Sequence, residues 1–253
     1  MKIVSYNLNG IRAAVTKGLY TWLKDENPDI LCIQETKAQN GQIDEVEFKR
    51  YVYNCSWFPA KKKGYSGTGI VTKQEPLHVE YGMGIEKYDD EGRFIRADYD
   101  GFSVVSVYHP SGTSGDERQA FKMQWLEDFS EYVQELRKTH DKLIINGDFN
   151  ICRLWIDINK PENHEDVSGF LPEEREWFQR FIDLGYTDSF REFNQEEKQY
   201  SWWSYRAGAY QKNLGWRIDY NIVTENLKGE LKNAFIRNSL RYSDHCPVGI
   251  EIF

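Results

Sequence analysis

Short apolar runs recur along the chain and predict β-strands. They are rich in Val, Ile and Tyr, and turn-forming Gly, Pro, Asn or Asp residues bound them. The clearest runs are KIVSYN, DILCIQE, GTGIVT, FSVVSVYH, KLIINGD, RIDYNIV and CPVGIEIF. Several are joined by short turns such as YDGF. A short turn can join two antiparallel strands, whereas two parallel strands need a long crossover connection.

Three segments between these runs show the apolar repeat of amphipathic helices. They cover residues 16–27, residues 114–139 and a stretch that begins at Pro172 and ends at Gly185 as a C-cap. Their aromatic stripes are predicted to pack in the core. This mixture of strands and helices favours two packed sheets covered by helices over an alternating βαβ barrel.

Composition favours one globular domain over residues 1–253. The chain is 40% hydrophobic and 15% aromatic, and no linker or low-complexity tract divides it. MKIVSYNLNG is predicted to start a strand and not a signal peptide, and no run approaches the roughly 20 apolar residues of a membrane span. We expect no membrane association.

Cysteine usage bears on the compartment. The four cysteines lack CxxC spacing, and most lie in or beside apolar runs. This distribution predicts buried free thiols and a reducing cytoplasmic location.

Charge limits the class of partner. The net charge of -8 argues against a general basic coat for nucleic acid. A local basic face stays possible, and acids gathered around a bound cation would account for part of the negative charge.

Polar side chains that suit chemistry stand at the ends of several predicted strands. They are Asn7, Asn9, Glu35, Asp148, Asn150, Asp219, Asp244 and His245. Each alone is also consistent with a solvated strand end or a structural contact. Their shared placement favours one convergent pocket.

These residue types indicate a hard cation. Carboxylate and amide oxygens suit Mg²⁺ or Mn²⁺, and Cys/His zinc spacing is absent. There is no serine nucleophile elbow and no glycine-rich phosphate loop. One histidine with several acids and such a cation fits hydrolysis of a phosphate ester.

The order of motifs adds a resemblance. MKIVSYNLNGIRA, QETK, GYSGTGIV, NGDFN, GFLPEERE, SWWSY, GWRIDY and SDHCP follow one another across nearly the whole chain. The sequence resembles the exonuclease III family of apurinic/apyrimidinic endonucleases, within the endonuclease/exonuclease/phosphatase superfamily. The resemblance implies an α/β (α+β) fold, a DNase I-like four-layer sandwich of two packed mixed β-sheets flanked by helices.

The resemblance also implies an activity. The expected reaction is Mg²⁺-dependent incision of double-stranded DNA 5′ to an abasic site, leaving a 3′-hydroxyl. Removal of 3′-blocking groups and 3′→5′ exonuclease activity on duplex DNA often accompany it in the family. The DNA substrate is then a duplex with abasic sites or 3′ ends, and the protein is expected to act as a monomer.

Metal and catalytic roles carry over onto matching positions. The implied metal ligands are Asn7, Glu35, Asp148, Asn150, Asp244 and His245. Asp148 would orient or deprotonate water, and Asn150 would stabilise the transition state. His245 would bind a phosphate oxygen, with Asp219 orienting it. Tyr108 would donate to phosphate or assist the leaving group.

Two of these assignments have structural alternatives that the residues leave open. Tyr108 fits an aromatic side chain that packs on its neighbours at a strand end. Asp219 and His245 fit a purely structural ion pair.

Implied DNA contacts surround this site. They involve Asn9, Arg12, Lys37, Ser111, Trp202, Arg206 and Trp216. Arg12 and Lys37 would meet phosphates, Arg206 would enter the minor groove, and the two tryptophans would form the walls of a pocket for a flipped abasic sugar. Because Trp202 and Trp203 are adjacent, one of them is expected to pack in the core.

Two departures from the family pattern concern the segment YHPSG. Ser111 stands where the family commonly has Asn, and His109 stands where a small apolar residue is common. They bear on the balance between endonuclease and exonuclease activity and not on the metal site.

Two other functions remain alternatives. One is an inositol- or lipid-phosphate hydrolase of the same fold, against which the motif GWRIDY argues. The other is a non-catalytic DNA-binding relative, against which the complete set of acids, amides and histidine argues.

Overall fold

The computed structural model describes residues 1–253 and contains two six-stranded sheets. The strands of the first sheet are β1 (Lys2–Asn7), β2 (Ile30–Gln34), β3 (Asn54–Phe58), β4 (Thr68–Thr72), β11 (Leu231–Ile236) and β12 (Val248–Ile252). Those of the second are β5 (His78–Tyr81), β6 (Phe94–Tyr99), β7 (Phe102–Tyr108), β8 (Leu143–Asp148), β9 (Tyr186–Asp188) and β10 (Asp219–Thr224).

Each sheet is mixed. The spatial orders are β11-β12-β1-β2-β4-β3 and β5-β6-β7-β8-β10-β9. Strands β1 and β2 run parallel, as do β7 and β8, and all other neighbours are antiparallel. The C-terminal ends of these two parallel pairs supply most of the polar residues singled out in the sequence.

Seven helices surround the sheets, and all but the last cover an outer sheet face; Phe190 of the last belongs to the apolar cluster between the sheets. They are α1 (Ile11–Thr16), α2 (Leu19–Glu26), α3 (Glu45–Arg50), α4 (Glu86–Asp89), α5 (Asp116–Leu136), α6 (Pro172–Asp183) and α7 (Ser189–Phe193). Short 3₁₀ turns lie at Trp155–Asp157, Pro161–Asn163 and Glu225–Glu230.

Three buried apolar clusters define the layers. Ile3, Cys32, Ile95, Ile144 and Ile250 belong to the cluster between the sheets. A second cluster joins the outer face of the second sheet to the aromatic stripes of α5 and α6, and a third joins the first sheet to α1, α2 and α3. The predicted four-layer sandwich is confirmed, as is the prediction that these stripes form core.

The helix boundaries need correction. Residues 16–27 are not one helix, because α1 ends at Thr16 and α2 begins only at Leu19. Gly18 separates them with a φ of 110°, which breaks the helical path. The helix predicted over residues 114–139 corresponds to α5, which is shorter. Gly185 follows the end of α6 with a φ of 95°, as predicted for a C-cap.

All four cysteines are free, and three of them are buried, as the sequence predicted. None of the helices combines the length and apolar character that a bilayer-spanning segment needs.

A buried ion-pair network fixes the start of β10. Arg217 donates to both carboxylate oxygens of Asp157 at 2.8 and 2.9 Å and to those of Asp188 at 3.1 and 2.6 Å. All three side chains are at most 3% exposed. Because the planar guanidinium matches two carboxylates at once, it compensates both buried charges.

Arg217→Lys should therefore lower the free energy of unfolding by about 2–3 kcal/mol, the typical cost of losing charged hydrogen bonds. Urea denaturation measures this loss. Arg180→Lys is the matched control, since the Arg180–Glu127 pair is more than half exposed and such pairs contribute about 0–1 kcal/mol. Equal stability of the two variants would contradict the assigned role of Arg217.

Candidate active site

The register of the strands brings the predicted residues to one edge of the sandwich. In the second sheet Tyr108 pairs with Asp148, and Asp148 pairs with Asp219, so the three stand side by side on neighbouring strands. In the first sheet Asn7 ends β1 beside the end of β2, and Glu35 follows directly. Since the sheets pack face to face, these two rows of polar residues face each other.

The backbone around the site is held in a conformation that most residues avoid. Asn9, Glu35, Lys37 and Asn150 have φ values of 46°, 51°, 48° and 53°. Asn tolerates this left-handed region, but Glu and Lys rarely enter it. Backbone hydrogen bonds from Gly10 to the Glu35 carbonyl and from Lys37 to the Ser66 carbonyl oppose the strain.

Asn7 joins the two sheets at the centre of the site. Its Nδ2 donates to Glu35 Oε1 and to Asp148 Oδ2, both at 2.8 Å, and its Oδ1 accepts the Asn9 N–H at 2.9 Å. In this arrangement Asn7 holds the carboxylates together. Its role as a direct metal ligand stays a prediction.

Lys37 and Asn9 link Glu35 to Asp244. Lys37 Nζ lies 2.7 Å from Glu35 Oε2 and also donates to Asn9 Oδ1. Asn9 Nδ2 in turn donates to Asp244 Oδ1 at 2.9 Å. Burial opposes ionisation of Asp244, but His245 and the hydrogen bonds from Asn9 and Trp202 outweigh it and lower the pKa of Asp244.

Asp219 and His245 form a buried pair. His245 Nδ1 lies 2.9 Å from Asp219 Oδ2, and Ser201 Oγ donates to the same oxygen at 2.6 Å. Burial alone would lower the pKa of His245, but Asp219 and Asp148 raise it to about 10. His245 is therefore a cation at neutral pH, with Nε2 3.8 Å from Asp148 Oδ2.

Asp148 lies where these groups meet. Burial raises its pKa to about 7; His245 opposes the rise, and Asp219 and Glu35 add to it. The ligand atoms of Glu35, Asp148 and His245 lie within 4.8 Å of one another. Together with Asp219 and Asp244, the site holds four acids against the cations of Lys37 and His245, and this surplus of hard oxygen donors fits a divalent metal ion.

Tyr108 is fixed against the site by a cation. The Arg93 guanidinium lies over its ring at 4.6 Å and also donates to its backbone carbonyl at 2.9 Å. Burial and the negative charge of Glu35 raise the pKa of Tyr108 well above its usual range. The phenol therefore stays protonated and able to donate.

Asn150 is held by hydrogen bonds from its side chain and from its backbone. Its Nδ2 donates to the His109 carbonyl at 2.9 Å, and its backbone N–H donates to Asp148 Oδ1 at 2.8 Å. Lys122, which is fully buried in α5, donates to the Asn150 carbonyl at 2.9 Å and to Glu174 at 2.6 Å. This buried pair supports the loop from beneath.

A cleft of about 330 Å³ opens from these residues. Trp202, Trp216 and Ile218 form its apolar wall, and the two indole rings meet edge to face at 5.9 Å. Gly169 lies under Trp216, where a Cβ atom would come within 2.8 Å of the indole ring. The neighbouring Trp203 is buried, which confirms that one of the adjacent tryptophans packs in the core.

The other predicted DNA-contacting residues are distributed around the cleft. Ser111 lines it and shares a hydrogen bond of 3.0 Å with Thr113. Lys37 and Asn9 belong to the acidic site itself. Arg12 and Arg206 are exposed and do not line the cleft, so their contacts with DNA stay predictions.

Sequence reasoning missed several residues that shape the site. They are Arg93, Thr113, Lys122, Val167, Ser168, Gly169, Glu174, Ser201 and Ile218. The GFLPEERE motif contains Gly169 and Glu174 and was one available signal. Lys122, the buried lysine of α5, gives no such signal in the sequence, because lysine normally marks a solvated position.

Comparisons with known proteins agree with this geometry. Residues 4–245 match the Endonuclease/Exonuclease/phosphatase family. An exodeoxyribonuclease of Bacillus subtilis is 45% identical, over 100% of this chain and 99% of its own length. A DNA-(apurinic or apyrimidinic site) endonuclease of Dictyostelium discoideum is 40% identical, over 100% of this chain and 70% of its own length.

Solved structures extend the comparison. A 3′ phosphatase from Neisseria, bound to a product DNA hairpin, superimposes with a TM-score of 0.92 at 32% identity, covering 100% of this chain and 99% of that one. An AP endonuclease from Archaeoglobus fulgidus gives a TM-score of 0.91 at 32% identity, with the same coverage.

Proposed function

Because the chain belongs to the endonuclease/exonuclease/phosphatase family, we propose that it is a metal-dependent DNA-repair nuclease. It cleaves the backbone of double-stranded DNA 5′ to abasic sites, and it removes 3′-blocking groups and 3′-terminal nucleotides. The observation that carries this proposal is the position of the apolar cleft wall directly beside the acidic site.

The proposed cofactor is Mg²⁺ or Mn²⁺. Glu35, Asp148 and Asp244 offer the carboxylate oxygens that these ions prefer, with Asn7 and Asn150 as neighbouring amides. A bound ion would neutralise charge on the phosphate and on the leaving oxygen. The protonated state of His245 favours binding of a phosphate oxygen over metal ligation.

The protein side chains have separate roles in the proposed hydrolysis. Asp148, with a pKa near neutrality, orients water and accepts its proton. His245, held by Asp219, and the protonated Tyr108 donate hydrogen bonds to phosphate oxygens. Asn150 stabilises the transition state from the loop that Lys122 supports.

The apolar wall of the cleft suits an extruded abasic sugar. Two indole rings meet edge to face in its apolar wall, and a side chain at position 169 would clash with the ring of Trp216. An abasic sugar costs little to flip because no base is unstacked. Arg12 follows Asn9 closely in the chain, is exposed and is proposed to contact DNA phosphates. Arg206 follows Trp202 closely, is also exposed and is proposed to enter the minor groove.

The assignment predicts that the protein nicks a duplex with one tetrahydrofuran abasic analogue in the presence of Mg²⁺, and that EDTA abolishes the nick. Denaturing gels with abasic, 3′-blocked and undamaged duplexes measure this. An intact abasic duplex, together with hydrolysis of an inositol- or lipid-phosphate, would overturn the DNA-repair assignment in favour of a phosphatase of the same fold.

We further propose one domain over residues 1–253 that acts as a monomer in the cytoplasm. One chain supplies every member of the site, from Asn7 to His245. The four free cysteines are consistent with a reducing compartment.

A further inference from the structure

Asp244 is positioned by donors on both of its carboxylate oxygens. Asn9 Nδ2 donates to Oδ1 at 2.9 Å, and the indole Nε1–H of Trp202 donates to Oδ2 at 3.0 Å. Asn9 is itself held by Lys37, which lies within the acidic site. The Trp202 indole is the only one of these donors that also belongs to the sugar pocket.

Trp202 is rigidly placed between the pocket and the acidic site. Its backbone exchanges two hydrogen bonds of 2.9 Å with Trp216, and it forms a bridge with His245 on the other side. The next residue, Trp203, donates its backbone N–H to the Asp244 carbonyl at 3.0 Å. Because the donor Nε1–H belongs to the indole ring, any shift of the Trp202 ring also moves the donor on Asp244.

Trp202 and Trp216 differ in the hydrogen bonding of their indole N–H groups. Both rings form the apolar wall, but the indole N–H of Trp216 makes no hydrogen bond to a protein group, whereas that of Trp202 is directed at a carboxylate of the acidic site. Tryptophan at 202 thus supplies a donor that phenylalanine, with the same planar apolar character, would lack.

We propose that Trp202 is a positioning residue for Asp244, which couples the sugar pocket to the metal site. The ring contacts the extruded sugar, and the indole N–H holds the carboxylate in the orientation that suits a divalent ion. This inference rests on the proposed function, because it assumes that Asp244 belongs to a metal site. Donors behind a metal-binding carboxylate typically change metal affinity by about 10–100-fold.

The test measures metal binding without catalysis. Trp202→Phe and Trp216→Phe keep aromatic walls, and only the first removes a donor from Asp244. In isothermal titration of the metal-free protein with Mn²⁺, we expect Trp202→Phe to bind about tenfold more weakly than wild type. Trp216→Phe should bind Mn²⁺ within about twofold of wild type, since its N–H has no carboxylate partner.

A spectroscopic measurement needs no variant. In ¹H–¹⁵N spectra of wild type, Mg²⁺ should shift the Trp202 indole N–H resonance and leave that of Trp216 in place. Equal Mn²⁺ affinity of wild type and Trp202→Phe, or an unmoved Trp202 resonance at saturating Mg²⁺, would overturn the coupling. A wild-type protein that neither binds Mn²⁺ nor nicks abasic DNA would instead overturn the proposed function.

Discussion

Asp148→Asn is expected to reduce the single-turnover rate of abasic-site incision by about three to four orders of magnitude, in the upper part of the range for lost acid–base catalysis. The amide keeps the shape of the side chain and can still accept the backbone N–H of Asn150. It cannot accept a proton from water, and it removes one carboxylate from the metal site. A labelled duplex with one tetrahydrofuran residue, incubated with excess enzyme, gives the rate.

Binding separates loss of chemistry from loss of folding in this variant. Asp148→Asn should bind the abasic duplex in EDTA at least as tightly as wild type, because it removes a negative charge near phosphate. Glu131→Gln, an exposed acid-to-amide change on α5, is the matched control and should retain the wild-type rate. Incision by Asp148→Asn within tenfold of wild type would exclude Asp148 as the group that activates water.

Asp219→Asn is expected to reduce the incision rate by about two to three orders of magnitude and to change its pH dependence. Asp219 is the main partner that raises the pKa of His245 to about 10. Without this charge, burial lowers the pKa of His245, so the imidazolium is lost at a lower pH. The alkaline limb of the pH–rate profile should therefore move toward neutrality.

A milder substitution tests the same Asp219–His245 pair. Ser201→Ala removes one donor from Asp219 Oδ2 and leaves both charges in place. It should cost far less rate than Asp219→Asn and leave the alkaline limb nearly where it is in wild type. If Asp219→Asn loses stability but retains the wild-type pH–rate profile, the Asp219–His245 pair is structural.

Apolar patterning predicted the interior of the fold well. All seven apolar runs singled out in the sequence form strands. Of the five strands that patterning missed, β3, β5, β9 and β11 lie at the edges of their sheets, where each pairs with only one neighbouring strand. The fifth, β6, contains Arg96 and Asp98, whose charges pair with each other and interrupt the apolar run.

The acidic site was predictable for a related reason. A strand that ends in Glu35 or in Asp148 delivers a carboxylate to the sheet edge, and residue type alone indicates the chemistry. The contacts that hold these side chains in place in the folded protein were not predictable in the same way. The Lys122–Glu174 pair, the hydrogen bond from Trp202 to Asp244 and the left-handed backbone of Glu35 all depend on contacts between segments far apart in the chain.

Glu35, Asp148 and Asp244 are proposed to gather around a divalent ion at the edge of two packed sheets. Anomalous diffraction from crystals of the protein grown with Mn²⁺ would locate this ion. A single strong peak in contact with the Glu35 carboxylate, on the side that faces Asp148 and Asp244, is the expected result. Saturating Mn²⁺ with no peak there, or with peaks only on other surfaces, would rule out a metal site built by these three carboxylates.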